Sequence, residues 1–303
     1  MIELHPVTLE DKAWIDPIVW AEASPSADFN FGNIYLWDDS FHQMVGRLHD
    51  RGIVMPCYGD KPFFAWPVGT GDLAPVMKEL AAYAEEHGFP LTLRGVTQDH
   101  LPLLDELYPG RYTAECERPL WDYLYRAEKL PTLSGKKLHG KRNHISRFEA
   151  EYDWSFRALT PEDFPDCIRL LDEWNAANQE DPDHPDIGAD DEKTAILRGF
   201  ESFEPLGLEG GILRVSGEPV AFTMGEMVCA HTFVVHFEKA RTDINGAYPM
   251  VNREFVRQIL DRHPGVQWIN REDDMGHESL RQSKESYHPD AMVEKYTVVI
   301  DHV

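Results

Sequence analysis

The spacing of hydrophobic and polar positions changes between two periods along the chain and predicts an alternation of strands and helices. A period of two marks strands, as at residues 154–157, where two aromatic residues alternate with polar ones. A period of 3.6 marks helices, as in the apolar face that follows Asp72 and ends at Gly88. The other main elements predicted are strands near 42–48, 51–58, 62–67, 91–93, 111–117, 120–126, 209–215, 219–228, 231–238, 266–269 and 291–301, and helices near 97–108, 136–147, 248–263 and 276–286.

A short repeat divides the chain into two halves. Residues 8–11, Thr-Leu-Glu-Asp, recur 152 positions later as residues 160–163, Thr-Pro-Glu-Asp. Each copy follows an alternating strand and is typical of a helix start, since threonine caps helices and acids favour their first turn. We therefore expect a duplicated α/β (α+β) protein with a mixed sheet in each half. The predicted domains are residues 1–129 and residues 130–303, the second beginning with a basic linker helix.

The charge is strongly negative overall and reversed in one place. The chain has 29 Lys and Arg against 53 Asp and Glu, a net charge of −24, which repels nucleic acid and anionic lipid at long range. Residues 135–147 contain five of the basic residues and no acid. This segment is predicted to bind phosphate, the alternative being a solvated helix face. Residues 180–192, seven of them acidic, are predicted to form a solvated loop.

Several classes of protein are disfavoured by what the sequence lacks. No apolar run is long enough to span a membrane, and no secretory signal precedes the first strand. The four cysteines lie far apart without a C-x-x-C pair, which favours a reducing cytoplasm. The histidines form no zinc-hydrolase motif, and no G-x-S-x-G motif occurs, so we predict no metal site and no serine hydrolase.

Three passages resemble a known family. Residues 133–144, residues 237–255 and residues 270–289 are similar to an uncharacterised bacterial family related to the phosphatidylglycerol lysyltransferase C-terminal domain and the Fem-type aminoacyl transferases. The resemblance covers nearly the whole chain. It implies two tandem GNAT-like (acyl-CoA N-acyltransferase) mixed-sheet domains, and acyl or aminoacyl transfer as the activity.

The GNAT resemblance also implies where a donor would bind. In that fold a glycine-containing loop before a helix cradles the donor's pyrophosphate through backbone N–H groups. The first half offers Gly69 and Gly71, and the second offers Gly246 and Ala247, although neither matches the full family pattern and a plain turn or helix start is the alternative. No tightly bound cofactor is implied, and acyl-CoA, such as acetyl-CoA, is the expected co-substrate. The candidate donor and phosphate ligands are Lys136, Lys137, His139, Lys141, Arg142, Asn143, Gly246, Ala247 and Asn252.

Four side chains are candidates for the chemistry. Glu238 ends a predicted strand, where partial burial would raise its pKa and suit it to accept a proton. Lys284, which matches a lysine of the Fem-type transferases, would stabilise an oxyanion, and Tyr287 would protonate the leaving group. Asp273 would bind or deprotonate an amine. The alternatives are a salt bridge of Glu238 with its neighbour, helix capping by Asp273, and a surface lysine beside a core tyrosine; for Asn252 the alternative is a structural network.

These observations favour a transferase that moves an acyl or aminoacyl group from a phosphate-bearing donor to an amine or hydroxyl. The alternative is a non-catalytic small-molecule or nucleotide-binding protein on the same fold. In a third hypothesis, the acceptor end of an aminoacyl-tRNA binds residues 136–147, although the net charge of −24 disfavours binding over a large RNA surface. No DNA partner is expected. We expect Glu238, Lys284 and Tyr287 to converge in one pocket.

Overall fold

The structure is a computed structural model that describes residues 2–59, 61–177 and 189–301. The chain forms two compact units. Unit 1 comprises Met1–Asp122, Asp273–Glu278 and Met292–Val303, and unit 2 comprises Tyr123–Glu272 and Ser279–Ala291. The predicted division after residue 129 lies close to the first of these boundaries, but it did not include the two later segments that belong to unit 1.

The strands and helices follow one another in chain order, with short 3₁₀ turns between some of them. The strands are β1 (His5–Pro6), β2 (Met44–Leu48), β3 (Arg51–Met55), β4 (Cys57–Tyr58), β5 (Lys61–Pro62), β6 (Phe64–Ala65), β7 (Val68–Gly69), β8 (Thr92–Thr97), β9 (Tyr112–Cys116), β10 (Asp122–Arg126), β11 (Trp154–Ala158), β12 (Glu209–Val215), β13 (Glu218–Cys229), β14 (Thr232–Ala240), β15 (Trp268–Asn270), β16 (Ala291–Val293) and β17 (Lys295–Ile300). The helices are α1 (Lys12–Glu22), α2 (Phe31–Leu36), α3 (Asp38–Phe41), α4 (Leu73–His87), α5 (Leu101–Leu107), α6 (Lys129–Thr132), α7 (His139–Glu151), α8 (Phe164–Ala177), α9 (Ala189–Glu201), α10 (Phe203–Leu206), α11 (Ala247–Arg262) and α12 (Glu278–Glu285).

The two helix starts predicted from the repeat are confirmed, and they share their chemistry. Thr8 and Thr160 have almost the same extended backbone, with φ of −131° in both. The carboxylate of the aspartate three residues later accepts hydrogen bonds from the N–H and the hydroxyl of each threonine. The same carboxylate also accepts a hydrogen bond from a side chain of the preceding strand, which is His5 in the first copy and Arg157 in the second.

Other local predictions were right in part. Helix α4 begins after Asp72, whose side chain accepts a hydrogen bond from the Ala74 N–H, and it ends at Gly88, where φ is +76°. The basic helix predicted over residues 136–147 begins later, at His139, and runs to Glu151. Of the predicted loop 180–192, residues 180–188 lie outside the described residues, and the loop prediction is wrong for the acidic residues 190–192, which form the start of α9.

Unit 1 contains two four-stranded sheets, ordered β1-β2-β3-β7 and β6-β8-β17-β9. The predicted strand 291–301 was expected to close the second half, and this is wrong. It is two strands, and the longer, β17, lies between β8 and β9 and is antiparallel to both. Hydrophobic periodicity identifies a strand, but it does not identify the strand's partners.

A buried ion pair accompanies this placement of the C-terminal strand. Lys295, at the start of β17, is 2% exposed and donates hydrogen bonds to the carboxylates of Asp28 and Asp122. Burial alone would lower the pKa of Lys295, but the two carboxylates outweigh it and raise that pKa. The ammonium therefore stays charged. It pairs the start of β17 with Asp122, a residue far earlier in the sequence.

We expect Lys295→Met to destabilise unit 1 by about 3–5 kcal/mol, because it leaves the fully buried Asp122 carboxylate without its cation. Hydrogen exchange at the amides of β8 and β17 measures this change. The matched control is Lys12→Met on α1, which removes a partly exposed i,i+4 pair with Asp16 and should change stability by only about 0.3–0.5 kcal/mol. Equal losses in both variants would contradict a structural role for the buried pair.

Unit 2 is built on a sheet of order β11-β12-β13-β14-β15-β10-β16. Strand β10 was predicted near 120–126 and assigned to the first half, and this assignment is wrong, because β10 is antiparallel to β15 within this sheet. Helix α11 packs against β12, β13 and β14 and also against α6 and α7. Across the described residues, no helix combines the length and apolar character needed to cross a membrane.

Candidate functional site

The candidate site begins where β14 and β15 separate. These strands are parallel neighbours only over Thr232–Val234 and Trp268–Asn270. Beyond that point β14 continues for six residues as far as Ala240, and a register shift in its pairing with β13 leaves His236 without a partner residue. Such a bulge redirects side chains. The carboxyl ends of parallel strands that diverge form the usual ligand crevice of α/β sheets, so this opening is the expected place for a ligand.

An ion pair spans the opening between the two strands. Glu238 lies on β14 and Arg271 follows the last residue of β15. Nη2 of Arg271 donates to Oε1 of Glu238 at 3.0 Å, and Nδ2 of Asn252 on α11 donates to Oε2 at 3.1 Å. Each carboxylate oxygen therefore accepts a hydrogen bond, and the side chains of Glu238 and Arg271 are only 7% and 9% exposed. The predicted salt bridge of Glu238 with Lys239 is not found, because Lys239 pairs with Glu192.

Arg271 has unused hydrogen-bonding capacity. Burial would lower its pKa, but the Glu238 carboxylate and nearby tyrosines outweigh this and raise that pKa, so the guanidinium is charged. Its Nη1 is buried and has no hydrogen-bond partner among the described residues, and the same holds for Oδ1 of Asn252. Buried donors without partners are rare in folded proteins and require an explanation. The sequence analysis missed Arg271; its place immediately after a strand, before three acids, was the available signal.

Tyrosines surround this guanidinium. The Tyr287 ring centroid lies 5.0 Å from Cζ of Arg271, and the Tyr125 ring centroid lies 6.0 Å from it. The two rings are nearly perpendicular, with centroids 6.4 Å apart. Tyr287 is 2% exposed, and burial raises the pKa of its phenol, against the opposing effect of Arg271. The Tyr287 hydroxyl makes no hydrogen bond with another described residue, so its proton is available to a ligand.

Of the three residues expected to converge, the structure brings two into one cluster. Arg271 contacts both Glu238 and Tyr287 and joins them. Lys284 is buried, and its Nζ lies 5.8 Å from the ring centroid of Tyr123. Its backbone carbonyl accepts a hydrogen bond from the Tyr125 hydroxyl at 2.7 Å. The convergence of the Lys284 ammonium with Glu238 stays a prediction.

Asp273 lies two residues after Arg271 in the chain, and its predicted role toward an amine stays a prediction. It belongs to unit 1, whereas Glu238, Arg271 and Tyr287 belong to unit 2. One of its oxygens accepts a hydrogen bond from the Met275 N–H at 3.0 Å, which lies in the turn before α12, a helix that begins at Glu278, so the capping alternative also stays a prediction. Its charge also helps to raise the pKa of Lys295.

A pocket adjoins the cluster at the start of α11. It has a volume of about 270 Å³ and is lined by Lys141 and His144 of α7 and by residues 241–242 and 244–249. Arg241 forms a two-point ion pair with Asp243, which neutralises most of its charge. Nζ of Lys141 lies 4.1 Å from the centroid of the Tyr287 ring. Lys141 therefore touches both the pocket and the cluster.

Gly246 shapes this pocket for two reasons. Its φ of +89° is left-handed, and a Cβ added there would lie 2.7 Å from the backbone oxygen of His144. Glycine thus permits both the turn into α11 and the close approach of α7. Ala247 follows as the first helical residue and is buried. Gly246 and Ala247 lie at the start of α11, so the helix-start alternative is correct, and their role in binding a donor stays a prediction.

In the first half, the loop that contains Gly69 and Gly71 is filled by contacts with other residues of the chain. The N–H of Gly69 donates to the carboxylate of Glu22, and a Cβ on Gly71 would lie 1.7 Å from the backbone oxygen of His49. The guanidinium of Arg51 donates to the carbonyl oxygens of Gly71 and Pro67. A carboxylate in this position opposes phosphate binding, so the loop is better described as a turn.

Most of the basic segment does not reach the pocket. Lys136, Lys137, His139 and Asn143 are exposed, and Nδ2 of Asn143 lies 3.2 Å from Nε2 of His139. The Arg142 guanidinium donates to the carbonyl oxygens of Leu133 and Gly135, which holds the turn before α7. Of the segment's predicted phosphate ligands, Lys141 is the one that lines the pocket. His144 lines it too and was not among them.

A second charged cluster lies on the bulge of β14. His236 is fully buried, with Nε2 3.1 Å from Oε1 of Glu226 and Nδ1 2.7 Å from Oε1 of Glu272. Burial alone would lower the pKa of His236, but the hydrogen bonds to the two carboxylates outweigh it and raise that pKa to about 9. The imidazolium thus links β14 to the residue after Arg271. Sequence analysis missed this cluster because its members lie 10 and 36 positions apart.

We expect stability to fall as pH rises through about 9, because the pKa of His236 is higher in the folded chain than its ordinary value of 6.5. The protonated imidazole contributes its full share to the free energy of unfolding below the ordinary pKa. Up to about 3 kcal/mol of that free energy is lost once the imidazolium of the folded chain deprotonates. Urea unfolding across this pH range should show the loss in the wild-type protein and a much smaller loss in His236→Gln. His139→Gln, at an exposed histidine of unit 2, serves as the control and should follow the wild type. An equal pH dependence in His236→Gln would contradict the assignment.

Comparison with known proteins identifies relatives of the whole chain. Residues 21–299 match the family described as phosphatidylglycerol lysyltransferase, C-terminal. An uncharacterized protein of Mycoplasmoides gallisepticum is 25% identical over 189 residues, which are 59% of this chain and 56% of that protein. The chain therefore spans about half the length of the curated relative that it matches.

Solved structures show the same architecture. A conserved protein of unknown function from Bacteroides thetaiotaomicron is 35% identical with a TM-score of 0.93, covering 99% of this chain and 100% of that one. FemX has a TM-score of 0.67 at 7% identity, covering 97% and 96% of the two chains. A tandem GNAT protein from the clavulanic acid biosynthesis pathway has a TM-score of 0.50 at 11% identity, covering 99% and 98%. The predicted fold of two tandem GNAT-like mixed-sheet domains is confirmed.

Proposed function

Because the chain belongs to the family of phosphatidylglycerol lysyltransferase C-terminal domains, we propose that unit 2 transfers an acyl or aminoacyl group from a phosphate-bearing donor to an amine or hydroxyl. The observation that carries this proposal is the buried Arg271 guanidinium, whose Nη1 has no hydrogen-bond partner among the described residues. In acyl transfer, negative charge develops on the carbonyl oxygen, and fixed donors in a dry site stabilise it strongly.

The donor's phosphate belongs in the pocket at the start of α11. Backbone N–H groups at a helix N-terminus and the helix dipole both favour an anion there. Pro249 lines this pocket but has no N–H to offer, and the N–H of Ala247 already donates to the Ile244 carbonyl, so the Tyr248 N–H and the His144 side chain of α7 would supply the contacts. The donor's carbonyl would then extend toward the guanidinium. An acyl-CoA and the acceptor end of an aminoacyl-tRNA both carry phosphate and an activated carbonyl, and either fits this role.

Four side chains would share three separate roles at the reacting group. Arg271 directs Nη1–H at the carbonyl oxygen. Glu238 positions Arg271 by accepting a hydrogen bond from its guanidinium, and Asn252 holds Glu238 by donating to its other oxygen. Tyr287 returns a proton to the leaving thiol or hydroxyl from its unpaired hydroxyl. This assignment gives Glu238 a positioning role; its predicted role as the base stays untested.

We expect Arg271→Lys to lower kcat by about 10²–10³-fold, since the ammonium keeps the ion pair with Glu238 but loses the second donor. Transfer is measured with acetyl-CoA and a panel of amines, and with lysyl-tRNA and vesicles containing phosphatidylglycerol. Arg257→Lys, on the exposed side of α11, is the matched control and should behave as the wild type. Normal turnover in Arg271→Lys would overturn this role. Donor-induced thermal stabilisation without turnover by the wild type would instead favour the non-catalytic binding protein.

We expect Tyr287→Phe to reduce transfer by at least about tenfold with a free energy of unfolding within about 0.5 kcal/mol of the wild type. The variant removes only a hydroxyl that makes no hydrogen bond with another described residue, and it keeps the ring against Arg271. Urea unfolding and the transfer assay together test this expectation. A loss of stability with unchanged transfer would assign the hydroxyl a structural role.

A further inference from the structure

Lys141 occupies the junction between the pocket and the Arg271 cluster. It lines the pocket with His144 and the start of α11. Its Nζ also lies 4.1 Å from the Tyr287 ring centroid, and the Arg271 guanidinium lies 5.0 Å from the same ring. A donor whose phosphate sits in the pocket and whose carbonyl meets Arg271 must pass this amine.

We propose that Lys141, as an uncharged amine, accepts the proton of the attacking amine or hydroxyl. This inference rests on the proposed transferase function and deepens it by naming the base. It differs from the role that the sequence analysis gave Lys141, which was to bind the donor's phosphate as a cation. The two roles need opposite charge states of the same Nζ, so they can be separated by experiment.

The surroundings of Lys141 disfavour its charged form. No carboxylate lies within ion-pair distance of its Nζ among the described residues. Beyond Arg271, the groups facing it are the Tyr287 phenol, His144 on its own helix and Arg241, which is already paired with Asp243. Glu238 is the one acid that acts on it, and Arg271 already engages that carboxylate.

The pKa of Lys141 agrees with this geometry. Burial lowers it, the positive charge of Arg271 lowers it further, and the carboxylate of Glu238 opposes them, leaving a pKa of about 8. An amine with this pKa is uncharged in an appreciable fraction of molecules at neutral pH. A base is most effective when its pKa is near the working pH, and enzymes lower lysine pKa values by this combination of burial and a neighbouring cation.

The proposed step balances in protons and bonds. The acceptor's N–H or O–H bond breaks, and the proton moves to the uncharged Nζ of Lys141. The acceptor's nitrogen or oxygen forms a bond to the donor's carbonyl carbon, whose oxygen receives the negative charge beside Arg271. The bond from that carbon to the leaving sulfur or oxygen then breaks, and Tyr287 protonates the leaving atom. The Lys141 ammonium returns a proton to Tyr287, so both side chains recover their starting state.

The charge state of Lys141 can be measured without any substrate. Trace acetic anhydride labels amines only in their uncharged form, and mass spectrometry of peptides from the whole protein reads the labelling of each lysine as a function of pH. We expect the labelling of Lys141 to rise with pH with a midpoint near 8. The labelling of an added lysine peptide should rise with a midpoint of about 10.4. A Lys141 profile that follows the added peptide would overturn the proposal, even if transfer were observed.

Two substitutions then separate a base from a phosphate ligand. Lys141→Arg keeps the positive charge, so a phosphate-binding role predicts nearly normal transfer, whereas our proposal predicts a loss of about 10²–10⁴-fold in kcat. Lys141→Met should lose transfer to a similar extent, and thermal stabilisation by CoA should persist in both variants. Lys193→Met on α9, at a half-exposed lysine paired with Asp172, is the control that should keep activity. Normal transfer by Lys141→Arg overturns the proposal. Labelling near 8 with no turnover of any donor by the wild type means that the transferase function itself fails.

Discussion

The ion pair between Glu238 and Arg271 is the interaction on which the site in unit 2 depends. It spans the point where β14 and β15 stop being neighbours, so a side-chain contact replaces the backbone hydrogen bonds there. A buried pair of charges is stable only when its remaining hydrogen-bonding groups find partners, and removing one member typically costs about 3–5 kcal/mol. Asn252 provides one of those partners from α11. The pair therefore couples the opening of the sheet to the helix that forms the pocket.

This pair leaves an imbalance of charge that the site can use. One carboxylate faces two cationic side chains, Arg271 and Lys141, which both contact the Tyr287 ring. Lys141 has no carboxylate partner of its own among the described residues. Its charged form is therefore disfavoured, and the pKa of Lys141 falls to about 8. The same burial that holds the Arg271 guanidinium in place thus favours the uncharged form of Lys141. Their two properties have one electrostatic cause.

The Glu226–His236–Glu272 cluster stabilises the bulge of β14 beside the opening of the sheet. Its imidazolium connects the bulge of β14 to the residue after Arg271, so the segment that positions the guanidinium is held at two successive side chains. A tandem GNAT-like fold by itself does not specify a reaction, because the same architecture carries many sites. What distinguishes this chain is the set of buried charges where the sheet opens, together with the family to which it belongs.

The sequence by itself determined the local features and the family. Thr8, Thr160 and Asp72 were recognisable as helix starts and Gly88 as a helix end, because each depends on hydrogen bonds or backbone angles within a few residues. Residues 133–144, 237–255 and 270–289 pointed to the right family and hence to the fold. Glu238 and Tyr287 were expected to converge, and both contact Arg271; the roles predicted for them and for Lys141 stay predictions.

Only the tertiary structure decided which distant groups meet. It placed β17 in unit 1 and β10 in the sheet of unit 2, and it brought Arg271 to Glu238, 33 positions earlier in the chain. Strand pairing, burial and the charge felt by a side chain all depend on neighbours far away in sequence, and periodicity carries no information about them. For this reason the helix starts could be predicted locally, whereas the roles proposed for Lys141 and Arg271 rest on contacts that only the folded chain shows.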